Sequence, residues 1–165
     1  MSLTEFCRVD QDTLRLRADV LIVAIAPDGK WLNAIHGLLD EYAGDAYSDK
    51  LRNGRSIESG QTIIVRLGRG CFCNFGYILF IKGDPDQSIT EVILDGLTEA
   101  ADAGFASAIV PFCVESEVAI SAAIIAFLMC GQNDLNITMA FHREPRYTRR
   151  PAKTILRRRI NLRHR

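Results

Sequence analysis

Residues 20–26 read Val-Leu-Ile-Val-Ala-Ile-Ala, an unbroken apolar run rich in β-branched side chains that stops at Pro27, Asp28 and Gly29. A run without polar alternation reads as a strand covered on both faces, which parallel sheets contain and one-sided antiparallel sheets do not. Behind it Leu32, Ile35, Leu38, Leu39 and Tyr42 recur at spacings of three and four, the stripe of an amphipathic helix that Gly44 would close. A buried strand followed by a helix implies a crossover, so an α/β fold is expected.

The rest of the chain repeats this alternation. Residues 5–9 form a candidate first strand before the turn residues Asp10, Gln11 and Asp12. Residues 62–67 and 77–81 read as two strands joined by a loop containing Gly and Cys, and Gly83, Asp84, Pro85 and Asp86 turn the chain again. Ser88 with Glu91 three residues later has capping-box spacing, ahead of the stripe Ile89, Val92, Ile93, Leu97, Ala100 and Ala101 that Gly104 ends. Residues 107–113 are another buried strand, Glu115 or Ser116 opens a helix through Met129, and residues 135–141 are the last core strand. The order β, β, α, β, β, α, β, α, β predicts an α/β sandwich with a largely parallel or mixed sheet.

Composition bounds the class. At 165 residues, 48% hydrophobic and 24% charged, the chain is one domain's worth of ordinary globular protein and not a disordered or collagen-like one. Its longest apolar stretch, residues 118–130, is interrupted by Ser121 and falls short of the ~20 residues a bilayer requires. Residues 1–5 show no positive cluster leading into an apolar segment, so no secretory signal is expected. Five cysteines, an odd number with no Cys-x-x-Cys pair, argue against a disulfide framework and for a reducing cytoplasm.

The formal net charge of zero conceals two opposite halves. Residues 1–142 hold 10 Lys and Arg against 19 Asp and Glu, a balance of −9, while residues 143–165 hold 10 basic residues and the single acid Glu144, a balance of +9. The sequence therefore divides into an acidic α/β body (1–142) and a basic C-terminal extension (143–165). Arg149, Arg150, Arg157, Arg158 and Arg159 are candidates for contact with nucleic acid, whose affinity would fall steeply with salt, or with the acidic body of the same or a neighbouring subunit. Thr154, Ile155 and Leu156, and again Ile160 and Leu162, are apolar enough to dock on protein.

Chemistry-bearing residues are sparse. Lys30 and Trp31, just past the first buried strand, place a cation and an indole where a phosphate and a base could be held; covering the sheet edge is the plainer role for Trp31. Gly68-Arg69-Gly70 has no Lys-Ser/Thr behind it and is not a P-loop. Cys71 and Cys73 have only Cys113 as a possible third ligand and no His at ligand spacing, so no metal site and no cofactor are expected. His36 reads as a core or capping histidine, and the adjacent Asp40 and Glu41 diverge by ~100° on a helix, too far for a carboxylate dyad.

Several segments together resemble a macro domain. Gln11-Asp12-Thr13-Leu14, followed seven residues after Asp12 by Asp19 and the apolar run, is similar to the family's Gly-Asp-Ile-Thr turn and its Asp-Ala-Ile-Val-Asn-Ala-Ala-Asn strand. Asn33-Ala34-Ile35-His36 resembles the Gly-Ala-Ile-His helix, Ser59-Gly60-Gln61-Thr62 the small-Gly-x-Ala/Thr entry to a strand, the strand from Gly76 to Ile81 the family's Lys-Tyr-Val-Ile-His strand, and the segment from Gly104 to Pro111 its Gly-x-x-Ser-Ile-Ala-Phe-Pro. The likeness spans roughly residues 5–142.

The resemblance implies a three-layer α/β/α sandwich with a mixed, largely parallel sheet and a site for ADP-ribose over the carboxyl ends of the strands, with Asp12 at the adenine amino group and Thr13 beside it. Ala26, Gly29, Lys30, Trp31 and Asn33 would line one side, and Phe112, Cys113 and Val114 the other. The departures are specific. Ala26 replaces the family's second Asn, Gly29-Lys30-Trp31-Leu32 replaces a Gly-Gly-Gly run, and the segment from Phe112 to Glu117 replaces Ser/Thr-Gly-x-x-Gly with no glycine and two acids. Bare backbone lets amides approach a diphosphate, and carboxylates there repel it by ~1 kcal/mol per exposed close pair. The expected function is a non-catalytic binding module with a nucleotide-like, ADP-ribose-related ligand. The alternatives are an interaction protein acting through its basic end and a hydrolase of ADP-ribose derivatives.

Overall fold

A computed structural model of the chain describes residues 6–9, 16–28, 57–67, 74–131 and 134–141. They form one six-stranded sheet with β1 (Phe6–Val9), β2 (Ala18–Ile25), β3 (Thr62–Arg66), β4 (Phe75–Lys82), β5 (Ser107–Phe112) and β6 (Asn136–Phe141). The strand order is β1-β6-β5-β2-β4-β3. Every neighbouring pair is parallel except β3 with β4, which are antiparallel with Thr62 opposite Ile81 and Arg66 opposite Tyr77. The sheet is thus mixed and largely parallel, as the alternation of strands and helices implied.

The long apolar run became a central strand because both of its faces are needed. Val20, Ile22 and Ala24 point to one side, where Leu79, Ile81, Val110, Phe112 and Met139 form a core with two helices, α1 (Ile89–Asp102) and α2 (Glu117–Met129). Leu21, Val23 and Ile25 point to the other, where Ile57, Val65, Ile78, Phe80, Ile109 and Ala140 gather. Residues 20–24 are completely buried, and burying each large aliphatic side chain contributes ~1.5–3 kcal/mol. The helix expected over residues 32–42 lies outside the described residues.

Helix α1 forms where its capping residues dictate. The Ser88 hydroxyl accepts from the Glu91 N–H at 3.2 Å and the Glu91 carboxylate accepts from the Ser88 N–H at 2.7 Å, the reciprocal box the spacing predicted. Val92, Ile93, Gly96, Leu97 and Ala100 face the sheet. Gly104, at φ +85°, ends the helical turn and swings the chain into β5. α2 lies beside α1, with the Thr90 hydroxyl donating to the Ala119 carbonyl at 3.1 Å. No described helix is long and apolar enough to cross a membrane.

Candidate functional site

The strand order changes direction between β2 and β5. From β2 the chain next builds β3 and β4 on one side; from β5 it passes through α2 to β6 on the other. β2 and β5 are register-paired at Val20 with Ala108 and Leu21 with Ile109, in the amino-terminal halves of both strands. Their carboxyl ends release two divergent turns from the same sheet edge, one through Pro27 and Asp28 and one through residues 113–116. That divergence is where open α/β sheets take ligands.

Of the residues expected at the site, Ala26, Phe112, Cys113 and Val114 are brought to this edge: Phe112 is buried, Ala26 and Cys113 are half-buried, and Val114 is exposed. Asp12, Thr13, Gly29, Lys30, Trp31 and Asn33 lie outside the described residues, as do Arg149, Arg150, Arg157, Arg158 and Arg159.

The turn after β5 is curled on itself. The Cys113 N–H donates to the Ser116 hydroxyl at 3.1 Å, the Ser116 N–H donates to the Cys113 carbonyl at 3.2 Å, and the Cys113 Sγ lies 3.3 Å from the same hydroxyl. Ser116 is the buried polar side chain of the described residues, at 2% exposure. Its hydroxyl turns back to Cys113 instead of capping α2, for which Ser116 supplies no side-chain cap. Glu115 is exposed, and hydrogen bonding from its own backbone, then from the Cys113 side chain, holds its carboxyl below the ordinary glutamate range. The amides of Cys113 and Ser116 are therefore committed within the turn, which presents a carboxylate where a phosphate cradle presents free N–H groups.

A second concavity lies between α1 and the β3–β4 edge, a shallow groove of about 480 Å³ including its open mouth. Among the described residues, Asp84, Asp95 and Glu99 line it with a single cation, Lys82. The Gln87 amide crosses its floor, donating to the Asp95 carboxylate at 2.7 Å and accepting from the Asp84 N–H at 2.9 Å. Three carboxylates against one ammonium suit no phosphate ligand. Among the described residues, no group of three His, Cys, Asp or Glu is placed to hold a metal ion.

No family model matches the chain, and no curated protein matches its sequence. Its three-dimensional form does match solved structures. The macro domain of ganglioside induced differentiation associated protein 2 superposes with a TM-score of 0.64 at 12% identity, over 84% of this chain and 77% of that one. A Trypanosoma brucei macrodomain solved in complex with ADP-ribose gives 0.64 at 14% identity, over 86% of this chain and 66% of that one. The chain has the macro-domain fold. A third structure, the macrodomain of Mycobacterium tuberculosis DarG, gives 0.60 at 15% identity over 82% of this chain and 96% of that one.

At such identities the likeness carries the macro-domain fold and leaves the ligand to the site itself. The framework segments fall where the resemblance put them: Asp19 opens β2, Gly60 and Gln61 lead into β3, and the segment after Gly104 becomes β5. Sequence reading did not find the acidic groove, whose residues are scattered from Gly60 to Glu99. Nor did it find the use made of Asp19, whose carboxylate accepts from the Ala106 N–H at 2.8 Å and the Ser107 N–H at 3.3 Å. An Asp and a Ser at the starts of two expected strands were the available signal.

Proposed function

We propose that this chain is a non-catalytic binding module that takes an ADP-ribose-related nucleotide over the carboxyl ends of β2 and β5. The observation that carries the reading is the divergence of those strands in a chain that superposes on macro domains, one of them solved with ADP-ribose. The ligand is held chiefly by its adenosine half, with Asp12 and Thr13 at the base and Lys30 and Trp31 on the facing side. The diphosphate is gripped weakly, because the turn after β5 keeps the Cys113 and Ser116 amides for itself and presents Glu115. The same closed turn supports a binding role over hydrolysis: Cys113 is engaged with Ser116, and no basic side chain accompanies it among residues 112–117. The odd, unpatterned set of cysteines supports a cytoplasmic location.

Calorimetry with ADP-ribose tests this reading. The full chain should release heat with ADP-ribose and Asp12→Ala should abolish it; heat unchanged by that substitution would remove the pocket from where we place it.

A further inference from the structure

Helix α2 is apolar on the wrong side as well as the right one. Ile120, Ala123, Ile124 and Phe127 are buried against the sheet. On the opposite side Val118 is 81% exposed, Ile125 54% and Met129 82%, with the exposed Ala122 between them. The spacing 118, 122, 125, 129 is a continuous stripe at alternating four and three residues, which at ~100° per residue lies about half a turn from the buried face. Val114, 70% exposed in the preceding turn, extends it. The outer face of α1 differs: Glu91, Asp95, Thr98, Glu99 and Asp102 are its exposed residues. A helix apolar all round is a covered helix.

We propose that the basic C-terminal extension, residues 143–165, is the cover, docking along the outer stripe of α2 in the same chain. Connectivity supplies the first argument. Phe141 ends β6 in register with Phe112, and their rings lie 5.3 Å apart, so the chain after Phe141 emerges one strand spacing, ~4.8 Å, from the turn that opens α2. The stripe from residue 114 to 129 is ~22 Å long at ~1.5 Å per residue. An extended chain covers more than that in about eight residues, so Ile155, Leu156, Ile160 and Leu162 are all within reach of it.

Charge supplies the second. The near end of the stripe carries the exposed Glu115, held ionised, and Glu117 in the first turn of α2. The far end is a helix C-terminus with no basic residue in its last turn, and it carries a partial negative charge. Residues 143–165 bring a balance of +9. An extension that served nucleic acid alone would need the arginines but not the four large aliphatic side chains among them. This inference is independent of the nucleotide reading.

A photo-crosslinking side chain, p-benzoylphenylalanine, placed at Val118 and separately at Ile125 in the full chain tests it; both positions are exposed, so the core is undisturbed. Mixing isotope-labelled and unlabelled protein before irradiation separates contacts within a chain from contacts between copies. The expected result is crosslinked peptides from residues 149–163 of the same chain at both positions, with a yield that falls several-fold in the triple variant Arg157→Glu/Arg158→Glu/Arg159→Glu. Mixed-isotope products would assign the stripe to a second copy and overturn the proposal. So would crosslinks that exclude residues 143–165, a yield indifferent to the triple substitution, or an extension that retards an oligonucleotide while leaving no intrachain product.

Discussion

Asp19 and Ser107 hold the amino ends of β2 and β5 together by reciprocal hydrogen bonds: the Asp19 N–H donates to the Ser107 hydroxyl at 2.9 Å, and the Ser107 N–H donates to the Asp19 carboxylate at 3.3 Å. The Ala106 N–H is the second donor to that carboxylate, at 2.8 Å. β2 and β5 register-pair only near this clamp before their exits diverge into the candidate cleft. Asp19→Ala should lower unfolding stability by ~1–2 kcal/mol, the cost of leaving two donors to water at an exposed site. Ser107→Ala should cost less, and the double variant should be less than additive by ~0.5 kcal/mol or more. Strict additivity in urea denaturation would mean that the two residues do not act as a unit.

Gly83 closes the exit of β4, its N–H donating to the Ile25 carbonyl at 2.9 Å. A Cβ added there would meet Val92 Cγ2 at 2.6 Å. Gly83→Ala should therefore destabilise by ~1–3 kcal/mol through overpacking. Trimming the obstacle in Gly83→Ala/Val92→Ala should cost less than the sum of the two single changes. A midpoint for Gly83→Ala indistinguishable from wild type would show that α1 is free to shift away from the sheet.

Glu115 gives the turn after β5 a signature in pH. Its carboxyl is held below the ordinary glutamate range by its own backbone N–H and then by Cys113. The stabilisation from the ionised form is whole above the ordinary value of ~4.3 and lost as pH falls through the lowered one. A carboxyl-carbon NMR titration should place its midpoint below that of an unstructured peptide, and Cys113→Ala should move it part of the way back. A midpoint at or above the peptide value would contradict the curled turn.

The same turn can be opened by substitution. Val114→Gly/Glu115→Gly replaces a side chain with bare backbone and removes the facing carboxylate, the two features that set this turn apart from a glycine cradle. ADP-ribose affinity is expected to rise by about tenfold, equivalent to ~1.4 kcal/mol. Unchanged affinity in calorimetry would mean that the diphosphate does not pass this turn.

The fold was legible in the sequence because its signals were local. Residues 20–26 have no polar position and could serve only as a strand covered on both faces; Ser88 and Glu91 named the start of α1, and Gly104 its end. The resemblance set Ala26 and Phe112 facing one another; Phe112 ends β5, Ala26 follows the last residue of β2, and the two strands are neighbours in the sheet. What could not be read was which amides remain free. That depends on the Ser116 hydroxyl turning back to Cys113 instead of capping α2, a choice of side-chain rotamer that spacing does not encode. The outer stripe of α2 was hidden for a different reason: a helix apolar on every side has no periodicity from which to tell the covered face from the bare one.

We propose that the β2–β5 edge of this macro-domain fold receives the nucleotide despite a closed turn. Backbone amide NMR during titration with ADP-ribose tests it most directly. The account expects the largest shifts at Ala26, Asp28, Cys113 and Val114, with little change at Gly60, Thr62 and Lys82 along the acidic groove. Shifts centred on that groove, or none at the β2–β5 edge at saturating ligand, would contradict it.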